Sequence, residues 1–213
     1  MTAPEIDAHE AEIDALLARY EEEPEHAAQV AALADDLFLA LAPWHRRGDL
    51  DRRRLRTAAL LHDIGWSQTP DGKGHHKESA RLIAAWPWAT LPPSEVGLVA
   101  QIARYHRKSL PHAGHAPYQA LSEADRRTVS VLGGLLRVAD ALDRTHTRRV
   151  AAVRAEIAPD VLRLLVTPHA RDWDAERRAA EKKKDLLEQE AGRGVVVEED
   201  PAGSAGPEGK ERA

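Results

Sequence analysis

Apolar residues recur every three or four positions along most of the first 150 residues, a period that is typical of amphipathic helices. The pattern predicts a short leading helix within residues 1–23. It predicts five further helices, at 24–42, 51–65, 75–86, 94–106 and 122–142. Asp51, Ser94 and Ser122 stand where the second, fourth and fifth of these begin, and short polar side chains favour that position because they cap a helix.

The pattern changes after residue 150. Apolar and polar residues alternate over 153–157, and a second short apolar run at 161–167 completes a predicted hairpin. Residues 172–191 are charged and helical in period, and 194–197 predict a third strand. The sequence therefore predicts a mainly α protein, in which a helical bundle precedes a small α/β unit of about three short strands and one helix.

These changes of pattern predict how the chain is organised. The bundle contains one stretch without helical period, 108–120, which is expected to be a loop. The end of the chain, rich in Gly, Pro and Glu, is expected to be disordered. The predicted parts are a leading helix at 1–23, a helical domain at 24–150, a small α/β unit at 151–199 and a tail at 200–213.

The composition limits the chemistry. The chain has 213 residues and a formal net charge of -5, so it lacks the basic excess expected of a protein that binds duplex nucleic acid. It contains 0 cysteines, which excludes disulfides, cysteine zinc sites and a thiolate nucleophile. We expect a cytoplasmic protein, since neither a secretory signal nor a membrane-spanning apolar run is recognisable. Any transition-metal site must use carboxylates and the 11 histidines.

Several of these ligand-type residues lie on the buried faces of the predicted helices. His26 and His106 continue the apolar stripes of their helices, and Asp140 continues that of the long helix 122–142. His62 and Asp63 are adjacent near a helix end. An ionised carboxylate on an apolar stripe is costly unless it pairs with a cation. The sequence therefore predicts that these side chains converge inside the bundle.

One further ligand comes from the start of helix 75–86. His75 and His76 both fit its broad apolar face, so the period leaves open which of them points inward. Imidazole together with carboxylate is the ligand mixture expected for Mn, Fe, Co, Ni or Zn. We expect one or two divalent ions, with Asp63 as a bridging carboxylate that also serves the reaction.

Four motifs add a resemblance to these arguments. They are ALLHDIGW at 59–66, HHKESA at 75–80, ARYHR at 103–107 and LRVADALDR at 136–144. The order of their histidines and aspartates resembles that of the HD superfamily of metal-dependent phosphohydrolases. The surrounding words are similar to the C-terminal HD region of the exopolyphosphatase/guanosine pentaphosphate phosphatase family. The resemblance covers roughly residues 26–197 and implies that 24–150 is an HD-type metal-binding domain.

The resemblance has two departures. The actin-like N-terminal domains, in which that family cleaves its substrates, are absent from this sequence. Glu78 stands where relatives often have a second histidine. All the inward ligands are nevertheless present, which favours a working metal site.

Basic residues beside the ligands predict how phosphate is held. Lys77, Arg107, Arg137 and Arg144 are each close in sequence to a ligand and are candidates for contacts to phosphate oxygens. Of these, Lys77 and Arg107 are also candidates for the catalytic set. By contrast, the charged run 181–185 is expected to be a solvated helix face, and His9 and His146 are expected at the surface.

Three functions are compatible with these observations. The first is a metal-dependent phosphohydrolase that acts on a phosphorylated small molecule such as a nucleotide, an alarmone or polyphosphate. The second is a non-catalytic accessory domain that binds polyphosphate, a guanosine alarmone or a partner protein. The third is a purely structural helical scaffold. A small phosphorylated ligand is the expected partner, no membrane is expected, and a homodimer is left open.

Overall fold

The computed structural model describes residues 3–169 and 171–202 of the chain. Within them, the predicted fold class is confirmed: a mainly helical bundle is followed by a small three-stranded sheet. Almost all of the predicted tail 200–213 lies outside the described residues. The bundle contains α1 (Ala3–Tyr20), α2 (Pro24–Ala40), α3 (Ala42–His45), α4 (Asp49–Leu60), α5 (His75–Ala85), α6 (Pro93–Arg104), α7 (Ala116–Gln119) and α8 (Glu123–Ala141).

Helix α8 is the centre of the bundle. Nearly all of its residues from 128 to 141 are buried, and it packs against α2, α4 and α6. Its start is the predicted one, because Ser122 Oγ accepts a hydrogen bond from the backbone N–H of Asp125 at 3.1 Å. A helix buried on so many sides holds the side chains along it at fixed positions in the core.

Three predicted details of the bundle are wrong. Helix α4 begins at Asp49 rather than at Asp51, whose carboxylate is instead held in ion pairs with Arg47 and Arg54. Helix α6 begins at Pro93, one residue before the predicted cap, since proline suits a first turn in which its missing N–H is not needed. The predicted loop 108–120 contains the short helix α7.

The small unit contains strands β1 (Val150–Ile157), β2 (Val161–Pro168) and β3 (Gly194–Glu199), with α9 (Asp174–Lys183) and α10 (Asp185–Ala191) between the last two. Strand β2 is central, antiparallel to β1 and parallel to β3. The parallel pairing requires a crossover, which the helices supply. The single predicted helix 172–191 is thus two helices that meet at Lys184.

The sheet and the bundle are in direct contact. Gln29 Nε2 on α2 donates to the carbonyl of Val150 at 2.7 Å, and Asp36 on the same helix accepts from the N–H of Val153 at 3.1 Å. Helices α9 and α10 pack on α8. The crossover therefore lies over one side of the central helix. The domain boundary at residue 150 stays a prediction.

Helix α1 is held by a buried histidine. His9 is only 5% exposed, and its ring nitrogens lie 3.0 Å from the hydroxyls of Thr57 and Thr90. The prediction that His9 lies at the surface is therefore wrong, because the loop that carries Thr90 covers it. Within the described residues, no helix is both long enough and apolar enough to cross a membrane.

Candidate metal centre

The turn after α4 packs closely against the start of α5. Helix α4 ends at Leu60, and His62 and Asp63 lie in the turn that follows its C-cap, Leu61. Gly65 rests directly on the start of α5, where a Cβ atom would lie 2.3 Å from the carbonyl oxygen of His75 and 2.5 Å from the nitrogen of Ser79. Only glycine permits so close an approach of two backbones. This contact places His75 beside Asp63.

Three of the histidines are oriented by the same local contact. The Nδ1 of His62 lies 2.7 Å from the carbonyl oxygen of Ala59, and those of His75 and His106 lie 2.8 Å from the carbonyls three residues earlier. A carbonyl can only accept, so each Nδ1 must donate its proton. Nε2 is then the nitrogen left to bind metal when the ring is neutral.

The Nδ1 of His26 is also engaged, but by a side-chain carboxylate rather than by a backbone carbonyl. It lies in the first turn of α2, is 3% exposed, and its Nδ1 lies 2.8 Å from Oδ2 of Asp143. Asp143 is fully buried, and its other oxygen accepts from the N–H of Arg148 at 2.8 Å. Asp143 was not among the predicted site residues; it lies in the turn just after α8, three positions after Asp140.

The ligand atoms form two adjacent groups. The structure brings together six side chains, which we call the His–Asp cluster: His26, His62, Asp63, His75, His106 and Asp140. One ligand atom from each of His26, His62 and Asp140 forms a first group, and one from each of Asp63, His75 and His106 forms a second, all within 4.8 Å of one another in each group. Either group could hold a metal ion.

Asp63 joins the two groups. Its Oδ1 lies 3.3 Å from Nε2 of His75 and 3.4 Å from that of His106. Its Oδ2 lies 3.5 Å from Nε2 of His62 and 3.9 Å from that of His26. Two nitrogen or oxygen atoms that bind one ion at about 2.1 Å are separated by about 3 Å or more, so these spacings are close to those of a ligand shell. The Asp63 carboxylate therefore contacts the imidazoles of both groups.

Helix α8 contributes Asp140 to the cluster. Its Oδ1 lies 3.8 Å from Nε2 of His26 and 3.7 Å from that of His62. The Asp140 carboxylate is 20% exposed, more than that of Asp63. This side of the cluster therefore faces an opening.

The charges and the unpartnered atoms of the cluster favour the binding of a cation. Nε2 of His26, Nε2 of His62 and Oδ1 of Asp63 are buried without a hydrogen-bond partner. Burial lowers the pKa of His62, but Asp63 and Asp140 outweigh it and raise the pKa to about 9. Burial raises the pKa of each carboxyl, but the surrounding imidazoles outweigh it and hold both pKa values below their usual range. Four imidazoles and two carboxylates fit a divalent transition ion, which would supply the missing charge.

The structure separates the two histidines that the sequence left open. His75 belongs to the second group, whereas His76 belongs to neither group among the described residues. His76 is buried, and its ring centre lies 6.3 Å from that of His106. Burial, with nearby positive charges, lowers its pKa to about 4, so it is neutral near pH 7. Nε2 of His75 also lies 2.9 Å from Nη1 of Arg107, which must move for the nitrogen to bind metal.

A cleft of about 610 Å³ opens beside the cluster. Asp63, His106 and Asp140 lie among its lining, and so do the predicted residues Arg107 and Arg144. Three further cations, all on α9, complete what we call the basic cleft: Arg178, Lys182 and Lys183. These three were not predicted as site residues. The prediction that 181–185 is a solvated helix face is wrong for Lys183, which is partly buried, whereas Lys182 is exposed at the cleft.

The available signal for α9 was weak. The lining residues Ala175, Arg178, Ala179, Lys182 and Lys183 follow a three- and four-residue spacing, so they form one stripe of the helix. This stripe carries only small and cationic residues, which gives no apolar pattern to detect. It faces the cluster because the crossover lies over α8.

Two of the predicted phosphate-binding residues lie elsewhere. Arg137 is 2% exposed, and its guanidinium donates twice to Asp185 at 3.0 Å and once to the carbonyl of Tyr105 at 3.1 Å. Its donors therefore join α8 to α10 and to the end of α6, which is a structural role. Lys77 is exposed and is not among the residues that line the cleft.

His146 is exposed, as predicted, yet it also contacts the cluster. Its ring stacks on that of His26 with centres 3.7 Å apart, and its Nδ1 contacts a carboxylate oxygen of Glu23. The backbone at His146 has a φ of 54°, in the left-handed region that residues other than glycine seldom adopt. His146 thus combines an exposed position with a contact to a cluster histidine.

Comparison with known families agrees with this geometry. A family model described as Ppx/GppA phosphatase, domain III, matches residues 9–190. That range contains all six residues of the His–Asp cluster and the five cations of the basic cleft. No curated protein matches the chain. Since the model covers most of the sequence, the chain belongs to the Ppx/GppA phosphatase domain III family.

Proposed function

We propose that this protein is an HD-type metal-dependent phosphohydrolase that acts on a phosphorylated small molecule. The observation that carries the proposal is the convergence of four Nε2 atoms on the carboxylates of Asp63 and Asp140, with every Nδ1 engaged by an oxygen. Such outer contacts fix both the tautomer and the direction of a metal-binding imidazole. The HD order of these residues supports the same interpretation.

The metal ligands in this proposal are His26, His62, Asp63, His75, His106 and Asp140. Divalent ions held there would lower the pKa of water and polarise a phosphoryl oxygen. The chain itself must then position the substrate. Arg107 and Arg144 lie in the same cleft as the exposed oxygens of the cluster and are placed to neutralise phosphate charge.

Helix α9 adds to this binding surface. Arg178 and Lys182 are exposed towards the cleft, and Lys183 is more enclosed, with its Nζ donating to the carbonyl of His106 at 3.3 Å. Five cations in one cleft favour a substrate with several negative charges over a single phosphate group. A nucleoside polyphosphate, a guanosine alarmone and inorganic polyphosphate all meet this requirement.

The direct test is the substitution Asp63→Asn, because the two carboxylate oxygens of Asp63 lie near imidazoles of both ligand groups. The purified protein is loaded separately with Mn, Co, Ni and Zn, its metal content is measured, and phosphate release is followed from nucleotides, alarmones and polyphosphate. We expect the variant to lose both metal and turnover. Asp71→Asn, in the exposed loop before α5, is the matched control and should retain both.

Phosphate release by a metal-free Asp63→Asn protein at the wild-type rate would refute the proposal. A wild-type protein that holds metal and binds polyphosphate or an alarmone, yet releases no phosphate with any of the four ions, would favour the non-catalytic accessory domain instead. A protein that takes up no metal would leave only the structural scaffold.

A further inference from the structure

The His–Asp cluster has two openings of opposite charge. One is the basic cleft. The other is a pocket of about 240 Å³, which we call the acidic pocket, lined by Glu21, Glu22, Glu23, His26, Asp63, Trp66 and His146. Asp63, Trp66 and His146 line both cavities, so they form the partition between them. The cluster therefore lies between an entrance with five cations and an entrance with three glutamates.

The glutamates come from the linker between α1 and α2. Glu21 Oε1 accepts from the N–H of Glu23 at 2.8 Å, while its Oε2 is buried without a hydrogen-bond partner. Burial raises the pKa of the Glu21 carboxyl, so its charged form gains most from a cation close by. Glu22 is exposed, and Glu23 contacts His146. The lining of this pocket includes no lysine or arginine among the described residues.

A second observation points to a ligand here. His26 is only 3% exposed, and it lines the acidic pocket. Its Nε2 is buried and has no hydrogen-bond partner. Asp63 lines the same pocket, and its Oδ1 is likewise buried without a partner. The pocket thus leads from the exposed residues Glu22 and Glu23, past the partly buried Glu21, to metal-ligand atoms that lack partners.

We propose that the acidic pocket is the route by which divalent cations reach the His–Asp cluster, with Glu21 and Glu22 as an outer capture site. The basic cleft is then reserved for the phosphorylated ligand. This inference rests on the metal-binding part of the proposed function and does not depend on turnover.

The charges on the two sides support separate routes. A divalent cation that approaches through the basic cleft meets Arg107, Arg144, Arg178, Lys182 and Lys183 before it reaches the cluster. A cation that approaches from the other side meets three glutamates and, among the described lining residues, no lysine or arginine. Clefts lined by one sign of charge raise association rates for the opposite sign by about 10- to 1,000-fold, and salt removes much of that gain. The acidic pocket should therefore favour the entry of cations, and the basic cleft the entry of anions.

The test uses the double variant Glu21→Gln and Glu22→Gln in the full chain. Glutamine at 21 still offers an oxygen to the N–H of Glu23, so the linker keeps its internal contact. Glu23 is left unchanged because it orients His146 against His26. Asp14→Asn, on an exposed position of α1, is the control with one charge removed away from the pocket. A second variant, Arg178→Gln with Lys182→Gln, removes charge from the opposite mouth.

Two quantities are measured on chelator-treated protein. Co²⁺ association is followed by stopped-flow quenching of tryptophan fluorescence, to which Trp66 contributes from the partition, and metal stoichiometry is determined at equilibrium. Inorganic tripolyphosphate binding is measured by calorimetry. At low ionic strength we expect the glutamate variant to bind Co²⁺ about tenfold more slowly, with a difference that shrinks at about 1 M salt, where the Debye length is near 3 Å.

The outcomes separate the route from the metal site. Slower Co²⁺ association in the glutamate variant, with wild-type stoichiometry and wild-type tripolyphosphate affinity, supports the proposal. Unchanged association in that variant, or slowing in the α9 variant instead, overturns it while the metal site stands. Failure of the wild-type protein to bind Co²⁺ at all removes the proposed metal centre, and the route with it.

Discussion

Asp143 gives the sharpest test of how the cluster is organised, because it touches a ligand without being one. The substitution Asp143→Asn keeps the shape of the side chain but replaces one acceptor by an NH₂ group. Both present partners, His26 Nδ1 and the N–H of Arg148, are donors. The amide can accept from only one of them, so the other donor faces an NH₂ group. If the N–H of Arg148 keeps the oxygen, His26 loses the contact that fixes its tautomer.

The size of the effect follows from this geometry. Loss of the outer partner of a metal-binding histidine typically lowers metal affinity by about 10- to 100-fold, which is about 1.4–2.8 kcal/mol. In the metal-free protein, the loss of one hydrogen bond to a charged acceptor should reduce the free energy of unfolding by about 1.5–3 kcal/mol. Asp143 is fully buried, so solvent cannot replace the lost contact.

The assay compares Asp143→Asn with Asp36→Asn. Asp36 also accepts from a backbone N–H, that of Val153, but it does not touch the cluster, and the oxygen of asparagine can replace its carboxylate there. Mn²⁺ and Co²⁺ affinities are measured by chelator competition, and unfolding by urea is followed in the presence of a chelator. Wild-type metal affinity in Asp143→Asn, or an equal loss in Asp36→Asn, would refute the reasoning that an outer carboxylate holds His26 in its metal-binding state.

Three further predictions concern buried residues at the site and elsewhere in the bundle. Gly65→Ala should cost about 1–3 kcal/mol and weaken metal binding, because the new Cβ would displace the backbone of His75; Gly97→Ala, whose Cβ meets nothing within 4 Å, should not, as urea unfolding and metal titration can establish. Burial lowers the pKa of His9, so its contribution to stability is complete above about pH 6.5 and is lost as the pH falls below that value. His9→Gln should therefore lose less unfolding free energy than the wild type between pH 7.5 and 5.0, and an equal or steeper loss would contradict this. Arg137→Met should cost about 2 kcal/mol in urea unfolding without weakening tripolyphosphate binding, and a selective loss of that binding would instead make Arg137 a substrate contact.

The sequence by itself determined the ligand types and most of the helices that carry them. Positions that share the three- to four-residue spacing of the apolar residues are expected to be buried. His26, His106 and Asp140 could therefore be placed on the inner faces of the predicted helices before any contact was known. Local signals were less reliable where several residues could serve. Asp51 resembles a cap, but its carboxylate forms ion pairs with Arg47 and Arg54. Those ion pairs depend on how the side chains of α4 and of the loop before it are arranged.

The tertiary structure decided which candidates meet and what surrounds them. His75 rather than His76 faces Asp63 because Gly65 lets the turn after α4 rest against the start of α5, a contact between segments that sequence period does not describe. Arg137 is of a residue type that often binds phosphate, yet its guanidinium donates to the carboxylate of Asp185 on α10 instead. The cations of α9 join the cleft only because a parallel β2–β3 pair requires a crossover, and that crossover passes over α8. Period along one helix determines which residues are buried, whereas the approach of separate helices determines which of them share a site.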